Sequence, residues 1–199
     1  IFWWEWAHRF LGRLIGIGFL APLIYFSIKI KFAKLLHLYL IFFLICFQGF
    51  VGWYMVSSGL INDITVSHYR LSIHLTLAFL ILSTIFWLIL NFSNKREVKF
   101  FNFKKENIPF IILIFLIFVQ IILGAFVSGL DAGKIYQTWP LMGHTFFPND
   151  VFIITVKNLI DFDNHSLIQF YHRNLAYVIS VYIIFLTFYV YSYKLKQLF

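Results

Sequence analysis

Trp3 to Gly16 reads WWEWAHRFLGRLIG, and near the other end of the chain Ile168 to Ser180 reads IQFYHRNLAYVIS. Each stretch sets a His-Arg pair at the head of an apolar run. His8 is followed at i+4 and i+8 by Gly12 and Gly16, and His172 by Ala176 and Ser180. On a helix of 3.6 residues per turn these positions stack into one row, so each imidazole stands above a groove nearly bare of side chains. Small residues of this kind let a neighbouring helix pack closely in membrane bundles. They also leave room for something flat, and close packing by itself gives the histidines no role.

Around these stretches the chain is 61% hydrophobic and 12% charged, with a mean hydropathy of +0.85. Soluble domains carry about 25% charged residues, so this composition excludes an ordinary soluble protein. The single cysteine, Cys46, lies in an apolar run and rules out an intrachain disulfide. The chain opens on Ile1 without a basic leader or small-residue cleavage site, which suits an internal stretch of a longer protein. A net charge of +8 raises the question of nucleic acid, but the lysines gather in short loops between apolar runs and read as a topology signal. No nucleic-acid partner is expected; lipid is.

Crossing a bilayer core of about 30 Å takes roughly 20 helical residues. Runs of that length cover Trp6–Ile28, Leu35–Val56, His68–Leu90, Ile108–Ser128 and Gln169–Tyr191. They predict an all-α polytopic membrane helix bundle with five transmembrane helices, the first kinked at Pro22. Lys29, Lys31 and Lys34 occupy the first connection, Lys95, Arg96, Lys99, Lys104 and Lys105 the third, and Lys194 and Lys196 follow the last run. The second and fourth connections hold Asp63, Asp131, Asp150, Asp161 and Asp163 with few cations. By the positive-inside rule the lysine-rich face is cytoplasmic, or the matrix face of a mitochondrion.

That orientation places His8, His68, His74 and His172 near the outer ends of their helices, while His37 sits beside the lysine loop as an interfacial residue. Glu5, Arg9, Arg13, Arg70 and Arg173 also lie in or at the ends of these runs, where a charge at the bilayer centre costs about 2.5–3.5 kcal/mol. Snorkelling to headgroups explains some arginines, Arg13 among them. Arg9, Arg70 and Arg173, each adjacent to a histidine or one turn from it, suit bidentate contact with carboxylates such as porphyrin propionates. In the third run, SHYRLSIHLTLAFLIL at Ser67–Leu82, Arg70, His74 and Ala78 share one face. His68, six positions earlier, points elsewhere and reads as interfacial or supporting.

The connection from Gly129 to Ile168 is long enough to expect a folded outer cap, with turn formers interleaved with aromatics and a short surface helix over Val151–Ile160. His144 and His165 within it read as hydrogen-bonding residues. Gln48–Leu60, QGFVGWYMVSSGL, and Gln120–Leu130, QIILGAFVSGL, form a second repeat of Gln-led helices leaving through Ser-Gly-Leu. Repeated motifs suggest duplicated bundles. Facing histidines at one membrane depth suit haem, with imidazole at one or both axial positions. Zinc, which prefers tight clusters completed by cysteine or carboxylate, is the weaker reading.

EWAHRFLGR at Glu5–Arg13, GWYMVSSGL at Gly52–Leu60, VSHYRLSIHLTLAF at Val66–Phe79, GLDAGKIYQTWPLMG at Gly129–Gly143 and QFYHRNLAY at Gln169–Tyr177 together resemble the haem A synthase family, in its mitochondrial and alphaproteobacterial form. The resemblance implies eight transmembrane helices in two similar four-helix halves. It also implies oxidation of a methyl group of haem O to a formyl group, giving haem A for cytochrome oxidase. Residues 1–94 would be the amino-terminal, substrate-haem half without its first helix, and 95–199 the carboxy-terminal half, binding haem b, without its last two. His8 and His74 would be iron ligands in the substrate half, with Glu5 either handling protons there or merely pairing with Arg9. His172 would ligate the iron of the haem b cofactor, its partner lying beyond Phe199, with Arg9, Arg70 and Arg173 at the propionates.

The resemblance further implies haem O synthase and an electron donor as partners, and a homo-oligomer as one form of assembly. The location would be the bacterial cytoplasmic membrane, or alternatively the mitochondrial inner membrane, with the haem sites near the outer side. The outer-loop cysteine pair of some bacterial members is missing, and the chain alone is not expected to be catalytically competent. The main alternative is a bis-histidine membrane cytochrome that passes electrons without substrate chemistry; a transporter with polar intramembrane residues is the third reading.

Overall fold

A computed structural model describes residues 2–59, 66–94, 103–152 and 155–193. Its long helices are α1 (Phe2–Lys29), α2 (Phe32–Gly59), α3 (His68–Asn94) and α4 (Ile108–Gly129). A single-turn α5 (Val156–Leu159) and a final long α6 (His165–Tyr193) follow. Short 3-10 turns at Lys105–Asn107 and Ala132–Lys134 flank α4. Among the described residues there is no strand, only an isolated bridge between Met142 and Thr145.

All five long helices are long and apolar enough to cross a membrane, as expected from the sequence. Large side chains such as Ile17, Phe43, Leu82 and Phe115 stand exposed along them, which suits a hydrocarbon surround. Several polar side chains within the spans are turned back on their own helix: Ser27 donates to the Leu23 carbonyl, Thr84 to Leu80, Asn174 to Phe170 and Thr187 to Ile183. In hydrocarbon no water would satisfy these groups, so the helix must. The helix α1 runs on through Pro22.

The chain divides into two compact units. The first holds α1, α2 and α3 from Leu77 onward. Here the Ser27 and Tyr39 hydroxyls share a hydrogen bond of 2.6 Å between α1 and α2, and Phe19 stacks on Phe42. The ring of His37, at the start of α2, lies 6.5 Å from that of Phe92.

The second unit holds α3 up to Thr76, then α4 to α6 with the cap that joins them. Helices α4 and α6 are antiparallel: Gln120 meets His172, while the earlier Pro109 accepts a hydrogen bond from the later Tyr182. Leu123, Phe126 and Ile168 form their buried centre, with Val119, Ile122, Tyr171 and Leu175 packed around it. Helix α4 ends where the Leu130 amide bonds back to the Phe126 carbonyl. Asp131 then turns left-handed at φ 53°, a conformation Asp tolerates better than most residues. The start of α3 crosses the end of α4 so tightly that a Cβ at Gly129 would come within 2.8 Å of the His68 Cα. Only glycine fits that crossing.

The connection between α4 and α6 is folded, as expected, with Ala132, Met142 and Val151 buried within it. The surface helix is shorter than the sequence suggested: its described part is one turn, Val156–Leu159, started by an extended Thr155 in a capping box with Asn158. Helix α6 begins at His165, a turn before the expected Gln169. There the Asn164 side chain accepts the Leu167 amide, one of the orphan donors of a helix start.

Candidate functional site

The strongest cluster of polar contacts in the second unit centres on the head of α6. Three consecutive turns of sequence, from Ser166 through Gln169 to Arg173, grip the cap. Gln169 accepts the Tyr136 amide at 3.2 Å and donates to the Tyr136 carbonyl at 2.9 Å. Arg173 donates to the carbonyls of Thr138 and Tyr136. Ser166 and the Tyr136 hydroxyl both donate to the Asp150 carboxylate. Burial works against the Asp150 carboxylate, but those donors outweigh it and hold its pKa below the ordinary value of 3.8. The same bond to Asp150, with burial, pushes the Tyr136 hydroxyl above 10.0. Tyr171 adds a bond from its hydroxyl to the Leu159 carbonyl, fixing α5.

Beneath this clamp lies His172. Its ring packs against α4 where Gly124 has no side chain; a Cβ there would stand 3.1 Å from the imidazole Cε1. The side-chain nitrogen of Gln120 donates to the His172 backbone carbonyl at 3.1 Å and lies 3.4 Å from the ring Nε2. The other ring nitrogen, Nδ1, is buried and has no hydrogen-bond partner among the described residues. Buried polar atoms are nearly always paired, and one that is not asks for an explanation. A cradled imidazole with one long contact and one orphan nitrogen fits the donor set of a haem iron, for which a neighbouring group orients the ring while a lone pair is kept for the metal.

The remaining predicted residues are placed as follows. His8 stands exposed on α1 of the first unit, in the row with Gly12 and Gly16, where an added Cβ would meet nothing within 4 Å. Glu5 and Arg9 flank it and pair with each other at 3.3 Å, both more than half exposed. His74 and Arg70 lie half-buried on the part of α3 that belongs to the second unit. His68 is buried against the edge of Phe126, its Nε2 3.3 Å from the Asp163 carboxylate but not aligned as a hydrogen bond. Among the described residues no group of three or more His, Cys, Asp or Glu comes together that could hold a metal ion.

Sequence reading did not assign Gln120, Gly124, Gln169 or Asp150 to the site. The first two carried a signal, since Gln120, Gly124 and Ser128 form a polar and small i, i+4, i+8 row on an otherwise apolar helix.

Apolar spans with imidazoles set on them, one cradled between two helices, define an integral membrane protein. The family described as cytochrome oxidase assembly protein matches residues 1–198. A haem A synthase of Pelagibacter ubique is 50% identical over 192 residues, covering 94% of this chain and 56% of that protein. Haem A synthases of Parvibaculum lavamentivorans and Flavobacterium psychrophilum are each 42% identical, covering 90% and 94% of this chain and 52% and 56% of their own lengths. The chain thus spans about half the length of the curated relatives it matches, and no solved structure matches it significantly. The chain belongs to the cytochrome oxidase assembly protein family and, within it, groups with haem A synthases, as its motifs implied.

Proposed function

We propose that this chain is part of a haem A synthase, an oxidoreductase that converts a methyl group of haem O to a formyl group. The observation that carries the reading is that the match to named haem A synthases runs through every histidine-bearing helix. The cradled, under-satisfied imidazole of His172 supports it independently.

In this reading residues 1–94 bind the substrate and residues 95–199 the cofactor. His8 and His74 hold the iron of haem O, and the bare row of Gly12 and Gly16 beneath His8 leaves space for its ring. Glu5, one turn before His8 and 3.3 Å from Arg9, is the carboxylate placed to accept and return a proton during oxidation. Haem b, when bound through His172, supplies one-electron redox chemistry at its iron. Arg9, Arg70 and the guanidinium donors of Arg173 not committed to the cap are the cations for propionate carboxylates. Clamping of the cap by Gln169 and Arg173 keeps the head of α6 in place and shields His172 from water. Haem O synthase and an electron donor are the partners. The lysine loops face the cytoplasm or matrix and the haem sites lie toward the opposite face.

Pigment analysis tests the proposal. Membranes expressing the full-length protein together with haem O synthase are expected to accumulate haem A. Bound haem with haem O unchanged would reduce it to an electron-carrying cytochrome, and a purified protein without haem absorbance would overturn it altogether.

A further inference from the structure

The head of α3 is held by a later part of the chain. Its residues up to Thr76, Arg70 and His74 among them, pack with the second unit, while α3 from Leu77 onward belongs to the first. The hold is the close crossing at Gly129, where an added Cβ would stand 2.7 Å from the His68 Cβ, 2.8 Å from its Cα and 3.4 Å from Leu71. Phe126, nearly one turn earlier on α4, meets the rings of His68 and Tyr69 edge to face at 5.2 and 5.3 Å. The cap closes the remaining side: Phe162 packs on Phe126 at 5.8 Å, and the Asp163 carboxylate lies 3.3 Å from the His68 Nε2. Helices of the first unit are not pressed together in this way, since Gly12, Gly16, Gly18 and Gly49 could each take a Cβ with nothing within 4 Å.

We infer that His68 is a positioning residue for His74: its crossing with Gly129 and Phe126 fixes the height and rotation of α3, and so presents His74 and Arg70 to the substrate haem. The inference rests on the reading of His74 as a ligand of haem O. Transmission needs only a stiff helix. Helix α3 runs from His68 to Asn94 without a glycine or proline, the usual points of bending. His74 follows His68 by six residues, about 9 Å of rise and about 240° of turn, so a head that is fixed leaves the second imidazole no choice of depth or bearing. The groups that set this ligand of the substrate half thus lie on α4 and the cap, within the half proposed to bind the cofactor.

The test uses the full-length protein, with haem b content read from extracted pigment and haem O binding from an absorbance titration. Gly129→Ala forces the head of α3 off α4. A misplacement of about 1 Å far from the chemistry can cost about a hundredfold in rate, and haem A formation is expected to fall by that factor. Haem O binding is expected to weaken about 10–100-fold, as when a metal ligand loses its supporting contacts, with haem b content at the wild-type level. His68→Leu keeps an apolar side chain in the crossing but removes the ring from Phe126 and Asp163; it is expected to weaken haem O binding in the same selective way, and it decides the matter if Gly129→Ala does not fold. Unchanged haem O binding in a folded variant would overturn the inference, and so would a loss of haem b equal to that of haem O, which would make the crossing a general packing site. Unchanged haem O binding in His74→Gln would instead overturn the ligand reading beneath it.

Discussion

The two His-Arg helices start from nearly the same local sequence and end in opposite surroundings. On α6 the imidazole is wedged against a glycine of α4, bonded by Gln120, and the adjacent Arg173 is tied to two cap carbonyls. On α1 the imidazole is exposed, Gly12 and Gly16 face open space, and Arg9 pairs with Glu5 on its own helix. The motif therefore prescribes a histidine above a bare row, and the neighbouring element decides whether that row is filled by protein. The His172 ring is packed against Gly124 of α4, while Ser180 at the far end of its row stays exposed. Beside His8 the row meets no described residue within 4 Å of an added Cβ.

The most drastic test is to remove the two imidazoles proposed to hold the substrate. His8→Gln or His74→Gln in the full-length protein is expected to abolish haem A formation while leaving membrane insertion intact, read by pigment extraction beside protein yield. Wild-type amounts of haem A from either variant would end their assignment as ligands.

Glycine replacements come next, because the helices should respond differently. Gly129→Ala pushes a methyl into the His68 backbone, and overpacking of this kind costs about 1–3 kcal/mol, visible as a lowered melting temperature in detergent. Gly124→Ala forces the His172 ring to yield by a few tenths of an ångström and should lower haem b retention more than it lowers stability. Gly12→Ala meets nothing and should leave stability unchanged. If it melts as early as Gly129→Ala, the open row beside His8 is not open.

Arginines sharpen the same comparison at smaller scale. Hydrogen bonds to a charged group are worth about 1.5–3 kcal/mol, so Arg173→Met should loosen the cap and speed its proteolysis. The exposed Arg9–Glu5 pair, by contrast, contributes about 0.3–0.5 kcal/mol, and Arg9→Met should leave thermal stability nearly unmoved. Equal effects would erase the distinction between a clamped and an open helix head.

The smallest expected effect is that of pH on the cap. Asp150 has its folded pKa below 3.8, so its stabilising contribution is fully present above that value and is lost as pH falls toward the lower folded value. Tyr136 has its pKa raised above 10.0, so its contribution is present below 10.0 and is lost as pH rises through the higher folded value. Asp150→Asn should flatten the acid limb of a cap-proteolysis profile; an unchanged limb would remove Asp150 from the clamp.

Much of this was legible in the residues. Span length and hydropathy announce the five helices, since nothing but a helix satisfies its own backbone through so long an apolar run. Ends were harder. The first turn of α6, HSLI, follows a polar DFDN segment, and its start depends on the Asn164 side chain reaching the Leu167 amide, which hydropathy cannot register. The expected surface helix shrank to Val156–Leu159 because Thr155 caps it in place. For the site, periodicity put His172 above small residues of its own helix, but the glycine that cradles it lies on another, 48 positions earlier. Arg173 carried the signature of a carboxylate clamp, and the structure sets its guanidinium on cap carbonyls, a partner no spacing rule within one helix can reveal.

The most direct test of the account is the absorbance of the full-length protein with His172 replaced by Gln. Loss of the haem b bands from a protein that still inserts and melts cooperatively is the predicted result. Haem b bands of undiminished strength would contradict it, and with it the claim that the imidazole held between α4 and α6 is there for iron.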